Sequence, residues 1–219
     1  MDMKKLIMFV IISSMFVCAV HTSVEAQKTN SQSFGIKGGV NFSNLYVNDA
    51  ADNKMLTGFN LGLFAKLPFS KSFALQPELY YTTKGAQTTY SSTFINGTVQ
   101  YNFNYLEVPV LFVVNVTDNF NLHIGPYLGY MLNGKVKNES NVSSVDFDEK
   151  INTEDYNKFD AGIAAGAGVD LGAVSLGARY TYGLTKVGKE RTFAGTAYTT
   201  PDATNGVLSL YAAFSLGQN

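Results

Sequence analysis

The sequence predicts an all-β protein, an eight-stranded antiparallel transmembrane up-and-down β-barrel that follows a cleavable signal peptide. Three observations predict this fold. Apolar residues alternate with small or polar residues in eight segments, which is the period of a β-strand. The connections between these segments alternate between short and long, as in transmembrane barrels. Charged residues make up only 15% of the chain and aromatic residues 13%, whereas about a quarter of the residues of a soluble domain are charged.

The N-terminus has the pattern of a secretory signal. Lys4 and Lys5 precede an apolar stretch at residues 6–20, and the residues up to Ala26 suit cleavage before Gln27. The alternative is an uncleaved N-terminal anchor helix, which the shortness of the apolar stretch disfavours.

Two segments are therefore expected, a signal peptide at residues 1–26 and a barrel domain at residues 27–219. The only cysteine, Cys18, leaves with the signal, so disulfides and thiolate chemistry are excluded from the mature chain. Export without disulfides favours the envelope of a Gram-negative bacterium. The net charge of −1 and the lack of a basic cluster give no case for nucleic-acid binding.

The eight predicted strands each have about the length needed to cross a bilayer at a tilt. They lie at residues 33–45, 58–67, 73–83, 101–114, 121–132, 159–171, 172–184 and 207–216. The fourth segment begins with Tyr101, Phe103 and Tyr105 on one face and continues with apolar residues on the other. We therefore expect a β-bulge near Leu106.

The connections are sorted by length onto two sides of the predicted barrel. The short ones are residues 68–72, 115–120 and 172–173, and the long polar ones are residues 44–57, 84–100, 133–158 and 185–206. In outer-membrane barrels the short turns are periplasmic and the long loops extracellular. We expect the same orientation here.

The two faces of the strands differ in polarity. One face is mostly Phe, Leu, Ile, Val, Ala and Tyr, and the other is mostly Gly, Asn, Ser and Thr with a few charges. Because the interior of an eight-stranded barrel is just wide enough for side chains, small residues belong inside. The apolar face is then in contact with lipid. The alternative, a lipocalin-like soluble barrel around a small ligand, requires a charged outer face, which the sequence lacks.

A few charged residues lie on the face assigned to the lumen. They are Arg179, Glu78, Glu107, Lys37 and Lys66, and Asp160 and Asp170 lie on the same side near the two ends of the sixth predicted strand. Burial of an unpaired charge is costly, so we predict a structural cluster of salt bridges that plugs the lumen. The planar guanidinium of Arg179 suits a bidentate carboxylate contact, and both glutamates are candidate partners. The alternative is a proton or ion pathway through the lumen.

No catalytic, cofactor-binding or metal-binding residues are predicted. His123 is the only histidine of the mature chain, and no nucleophile lies beside it in the sequence. The acidic residues at 146–155 match no calcium-ligand spacing. Many tyrosines lie near the ends of strands, and those that face outward suit an aromatic girdle at the membrane interface.

Four motifs resemble the small outer-membrane barrel domain of the PorT-like family. They are "FGIKGGVNFSNL", "ALQPELYYTTKG", "YLEVPVLF" and "HIGPYLGYML", and the resemblance covers residues 34–216. It implies an outer-membrane location and eight strands, with outer-membrane lipid and the barrel assembly machinery as partners. The founding member is linked to protein export by a dedicated secretion system, so envelope or secretion-system proteins are further implied partners. The C-terminus, which ends Gly217-Gln218-Asn219, departs from the terminal phenylalanine of many outer-membrane barrels.

From these observations we expect a non-enzymatic protein with a structural or interaction role. Its contact surface is expected to be the long loops 84–100, 133–158 and 185–206. The alternative is a narrow porin-like channel or a lipocalin-like barrel that binds a small ligand.

Overall fold

The computed structural model describes residues 32–47, 53–91, 96–142, 146–193, 196–199 and 203–216. Its strands are β1 Ser33–Val47, β2 Asn53–Lys54, β3 Leu56–Pro68, β4 Phe73–Ser91, β5 Asn96–Asn115, β6 Phe120–Ser140, β7 Phe147–Lys150, β8 Phe159–Leu171, β9 Val174–Lys186, β10 Glu190–Phe193, β11 Thr196–Thr199 and β12 Ala203–Ser215. A short 3-10 helix spans Thr153–Asp155. The predicted signal peptide lies outside the described residues. No helix among the described residues is long and apolar enough to cross a membrane.

Eight long strands close into an antiparallel ring, which confirms the predicted barrel. The order around the ring is β1, β3, β4, β5, β6, β8, β9 and β12. The first and last strands pair in continuous register from Gly35 opposite Ser215 to Val47 opposite Ala203. Closure leaves no free edge in the part of the sheet that would face lipid, where unpaired backbone groups are costly.

The barrel is apolar outside and polar inside, as the alternation predicts. Ile36, Leu61 and Leu210 are exposed, whereas neighbouring residues such as Lys37 and Asn60 point inward and are buried. This polarity is the reverse of a lipocalin-like barrel, so the soluble alternative is wrong.

One row of residues on the outer surface marks the extracellular edge of the apolar belt. Tyr81 pairs with Leu106, which pairs with Tyr130, and Tyr130 packs against Phe159 with a ring-centroid distance of 5.4 Å. Such a row is typical of the aromatic girdle at a membrane interface. Other tyrosines near the same level, among them Tyr80, Tyr105 and Tyr127, are buried inside the barrel.

On the extracellular side of the aromatic row the outer surface becomes polar. Thr83, Asn104 and Asn133 form a hydrogen-bonded line across three strands, with Thr83 Oγ1 3.0 Å from Asn104 Oδ1 and Asn104 Nδ2 2.7 Å from Asn133 Oδ1. We place the edge of the lipid region between these two rows.

The long connections are not loops throughout, which corrects the sequence prediction. β4 continues to Ser91, β5 begins at Asn96 and β6 continues to Ser140, so most of segment 84–100 is strand. β6 and β7 similarly occupy part of 133–158. Outside the lipid a strand no longer needs an apolar outer face, so the alternation disappears while the backbone pairing continues.

A bulge does lie near Leu106, but the extra residue is on the neighbouring strand β6 and not on β5 as expected. The pairing of β4 with β5 is continuous through this region. The register shift lies between β5 and β6, where Asn104 pairs with Asn133 and Tyr105 with Met131, leaving Leu132 as the extra residue. β5 keeps its phase, and the apparent switch arises because interior positions near its two ends are themselves apolar.

Candidate functional site in the barrel lumen

An ion pair crosses the middle of the lumen from wall to wall. Arg179 on β9 donates to Glu78 on β4, with Nη1 to Oε2 at 2.5 Å and Nη2 to Oε1 at 3.0 Å. β9 and β4 are four strands apart in a ring of eight, so they are opposite walls. The contact is bidentate, and it identifies Glu78 rather than Glu107 as the partner of Arg179.

Glu78 is the centre of this network, and its side chain is 0% exposed. Besides Arg179, it accepts from Lys37 Nζ at 3.1 Å and from Gln76 Nε2 at 2.6 Å. The hydroxyl of Tyr80 also donates to it. Both carboxylate oxygens are therefore occupied, which is the condition under which a buried ion pair is tolerated.

Arg179 is held on its other side by His123. Its Nε lies 3.3 Å from His123 Nε2, and His123 Nδ1 lies 3.3 Å from Asn121 Oδ1. A guanidinium only donates, so this contact requires Nε2 without a proton and Nδ1 as the donor to Asn121. Since both ring nitrogens are engaged in this way, His123 positions Arg179 within the network.

A second charged group lies nearer the extracellular end. Lys84 Nζ lies 3.0 Å from Asp160 Oδ2 on β8 and also contacts Glu107 on the adjacent strand. Asp160 accepts further hydrogen bonds from Asn205 at 3.1 Å and from Tyr127 at 3.2 Å. Glu107 thus belongs to this group and not to the one around Arg179.

A third charged group, a single ion pair, lies at the periplasmic mouth. Lys66 Nζ on β3 lies 3.1 Å from Asp170 Oδ2 on β8, and these strands are again four apart in the ring. Its side chains are 19% and 27% exposed. Asn121 and Ser175 also donate to Asp170, at 3.1 and 2.6 Å.

The five predicted cluster residues are therefore divided among three levels. Arg179, Glu78 and Lys37 lie together, whereas Glu107 and Lys66 each belong to another level. The sequence prediction does not include Lys84, because it assigns residues 84–100 to a loop. The signal was present, since Lys84 continues the alternation of Gln76, Glu78, Tyr80 and Thr82.

The charges that the described strands carry into the lumen are balanced. Four are cations and four are anions, namely Lys37, Lys66, Lys84, Arg179, Glu78, Glu107, Asp160 and Asp170. The level around Arg179 has two cations and one carboxylate, and the level around Lys84 has one cation and two carboxylates. The adjacent levels therefore have opposite net charges and attract each other.

Interior glycines accommodate the aromatic rings that complete these networks. A Cβ added at Gly62 would overlap the carbonyl oxygen of Leu79 and approach the ring of Tyr80 to 2.5 Å. At Gly162 it would approach the ring of Tyr127 to 2.7 Å. The rings lie against bare backbone, and this brings both tyrosine hydroxyls to the buried carboxylates.

The extracellular end of the lumen is closed by apolar side chains. The buried members of this cluster are Leu45, Ala86, Phe103, Tyr105, Met131, Val187 and Ala203, and Tyr101, Ile151 and Tyr156 pack against them.

The lumen contains two cavities on the periplasmic side of this cluster. A cavity of about 20 Å3 lies between the two inner charged levels, which is enough for about one water. A larger cavity of about 370 Å3 opens at the end with the short turns. The described residues thus leave no wide passage along the lumen.

The described residues contain no group of three or more His, Cys, Asp or Glu side chains that could hold a metal ion.

A barrel that is apolar outside and polar inside is the architecture of an integral protein of the bacterial outer membrane. The chain belongs to the outer membrane protein beta-barrel domain family, which matches residues 25–188. Its location is therefore the cell outer membrane.

Solved structures of outer-membrane proteins have a similar fold. Ail, the attachment invasion locus protein of Yersinia pestis, is 16% identical with a TM-score of 0.50, and the match covers 85% of this chain and 100% of that chain. Neisserial surface protein A is 13% identical with a TM-score of 0.48, covering 84% and 99% of the two chains. At 16% identity the likeness to Ail extends to the fold alone. A search of curated proteins finds no match.

Proposed function

We propose that this protein is a non-enzymatic interaction protein of the outer membrane, with a plugged structural lumen and an extracellular β-sheet as its contact surface. The observation that carries this proposal is the length of β5 and β6, which have 20 and 21 residues. A strand needs only about 9–11 residues to cross the membrane. The remaining residues of β5 and β6 extend beyond the lipid, where they can contact a partner.

The extension forms a continuous sheet above the membrane. From the polar row at Asn104, β5 continues for eight residues to Asn96, which at the usual rise and tilt is roughly 20 Å. β4 and β6 flank it, and β7 pairs with β6 from Lys135 opposite Lys150 to Asn138 opposite Phe147. A shallow groove at its tip is lined by Tyr90 and polar residues of all three long strands. A rigid platform of this kind orders a contact surface better than flexible loops do.

The plugged lumen supports the structural part of the proposal. Three levels of ion pairs cross the lumen, and the apolar cluster closes one end. A pore needs a continuous water-filled path. In planar bilayers we expect no stable open steps, and steady conductance would overturn the plugged lumen.

The resemblance to the PorT-like family extends the proposal to a more specific partner. On this basis the extracellular sheet or the periplasmic turns contact a protein of a secretion system, after signal cleavage before Gln27 and insertion of residues 27–219 by the assembly machinery. Deletion of the gene should then reduce the amount of secreted cargo, and restored expression should recover it. Unchanged secretion would remove the link and leave the interaction role to be tested separately.

Site-specific photocrosslinking in intact cells tests the contact surface. A photoreactive residue at Thr98, on the outer face of the extension, should give discrete crosslinks to an identified envelope protein. The same group at Leu61 is the control, since Leu61 is exposed on the apolar belt and should label lipid. If Thr98 gives the same products as Leu61, the sheet is not a protein contact surface.

A further inference from the structure

The periplasmic end of the lumen contains a blind cavity of about 370 Å3. This volume is within the range of sites for small ligands. Its inner end is formed by Lys37, His123 and Tyr211, and its outer end by the turn residues Asp118 and Asn119. The Arg179 network closes the inner end, so a molecule that enters from the periplasm must leave the same way.

The ion pair between Lys66 and Asp170 is the entrance to this cavity. It joins opposite walls of the ring, and both residues line the cavity. Unlike the inner pairs it is in contact with solvent, which weakens the attraction between the two charges. It can therefore open at little cost.

The chemistry of the entrance selects the ligand. Opening separates one ammonium from one carboxylate, and only a ligand with both charges gives each of them a new partner. A singly charged ligand leaves one group without an ionic partner, and a neutral ligand leaves both. Lys37, which also lines the cavity, already pairs with Glu78, so Lys66 and Asp170 at the entrance are the ionic partners for a ligand.

We propose that this cavity binds a small zwitterion from the periplasm, of the class of an amino acid or short peptide. The ligand carboxylate binds Lys66, and its ammonium group binds Asp170. Asn121 and Ser175, which now donate to Asp170, keep that carboxylate in place while its ionic partner changes. The site is independent of the extracellular sheet, so it stands or fails separately from the interaction role.

Binding of diglycine to the full chain in detergent micelles tests this site. We expect saturable one-to-one binding by calorimetry, with amide shifts by NMR confined to the periplasmic ends of β3, β6, β8 and β9. Three matched probes separate the ligand classes: N-acetylglycine has only the anion, glycinamide only the cation, and glycerol neither. Each should bind at least about tenfold more weakly than diglycine, since each lacks one or both charge-assisted contacts.

Two variants locate the binding. Lys66→Gln and Asp170→Asn should each weaken diglycine binding about tenfold or more. Lys71→Gln is the control, because Lys71 lies in a neighbouring short turn and does not line the cavity. Circular dichroism and the gel mobility of unheated samples verify that the variants remain folded. Absence of saturable diglycine binding, equal binding of glycerol, or binding unaffected by both variants would each overturn the proposal.

Discussion

Replacement of Arg179 by methionine removes the charge at the centre of the lumen and keeps most of the side-chain length. Arg179 donates two hydrogen bonds to Glu78, and one each to two other side chains. Hydrogen bonds to charged groups contribute about 1.5–3 kcal/mol each, so the two carboxylate contacts amount to roughly 3–6 kcal/mol. Because Glu78 keeps Lys37 and Gln76 as partners, we expect a loss in unfolding free energy of about 3–5 kcal/mol, the usual cost of breaking a buried pair.

The chain has no tryptophan, so unfolding by urea in lipid vesicles is best followed by circular dichroism and by the mobility of unheated samples on gels. Lys66→Met is the control, since its pair also crosses the lumen but is partly exposed and should cost at most about 1 kcal/mol. Arg179→Lys should be intermediate, because an ammonium cannot make the bidentate contact. If Arg179→Met costs no more than Lys66→Met, the central pair does not stabilise the barrel as argued.

Three further variants test the inner and outer faces of the barrel wall. Gly62→Ala should lower the free energy of unfolding by about 1–3 kcal/mol or more, because its methyl group would overlap the Leu79 carbonyl oxygen. Gly129→Ala should be tolerated, because the nearest contact of its methyl group would be at 3.4 Å. Equal effects of the two variants in urea unfolding would contradict this packing. Leu210→Arg, on the apolar outer face, should cost about 2–4 kcal/mol in vesicles if this position is near the middle of the bilayer. Unfolding free energy like that of the parent protein would show that Leu210 does not face lipid.

The sequence predicts the membrane-crossing part of the fold well because lipid and lumen impose opposite demands on alternate residues. Beyond the lipid that demand ends, and the distal parts of β4 and β5, such as Thr88 opposite Val99, have no pattern that separates them from a polar loop. The predicted strands are therefore too short mainly at the extracellular end, where β4 and β6 each continue for eight further residues. The misplaced bulge has a related cause, since Phe103 and Tyr105 are apolar but lie inside.

The sequence predicts which charged residues face the lumen, but it does not predict which of them pair. Alternation assigns Arg179 and Glu78 to the interior. Which charges meet across a lumen depends on the stagger between strands on opposite walls, and a single sequence contains no measure of that stagger. Glu107 and Glu78 are equivalent by alternation, and only the closed barrel shows that Glu107 lies at the level of Lys84.

The cross-lumen pairs have a consequence for how the protein assembles. Arg179 and Glu78 are 101 residues apart, and Lys66 and Asp170 are 104 residues apart, so each pair joins the first half of the chain to the second. On the strands through β5 the lumen charges sum to +1, and on the strands from β6 onward they sum to −1. Neither half can therefore neutralise its own charges. Contacts between residues so far apart in the sequence form late in folding, because they require prior closure of a large loop. The cross-lumen pairs therefore form only when the two halves meet. During unfolding these pairs hold the halves together until the ring opens, which slows loss of the native barrel.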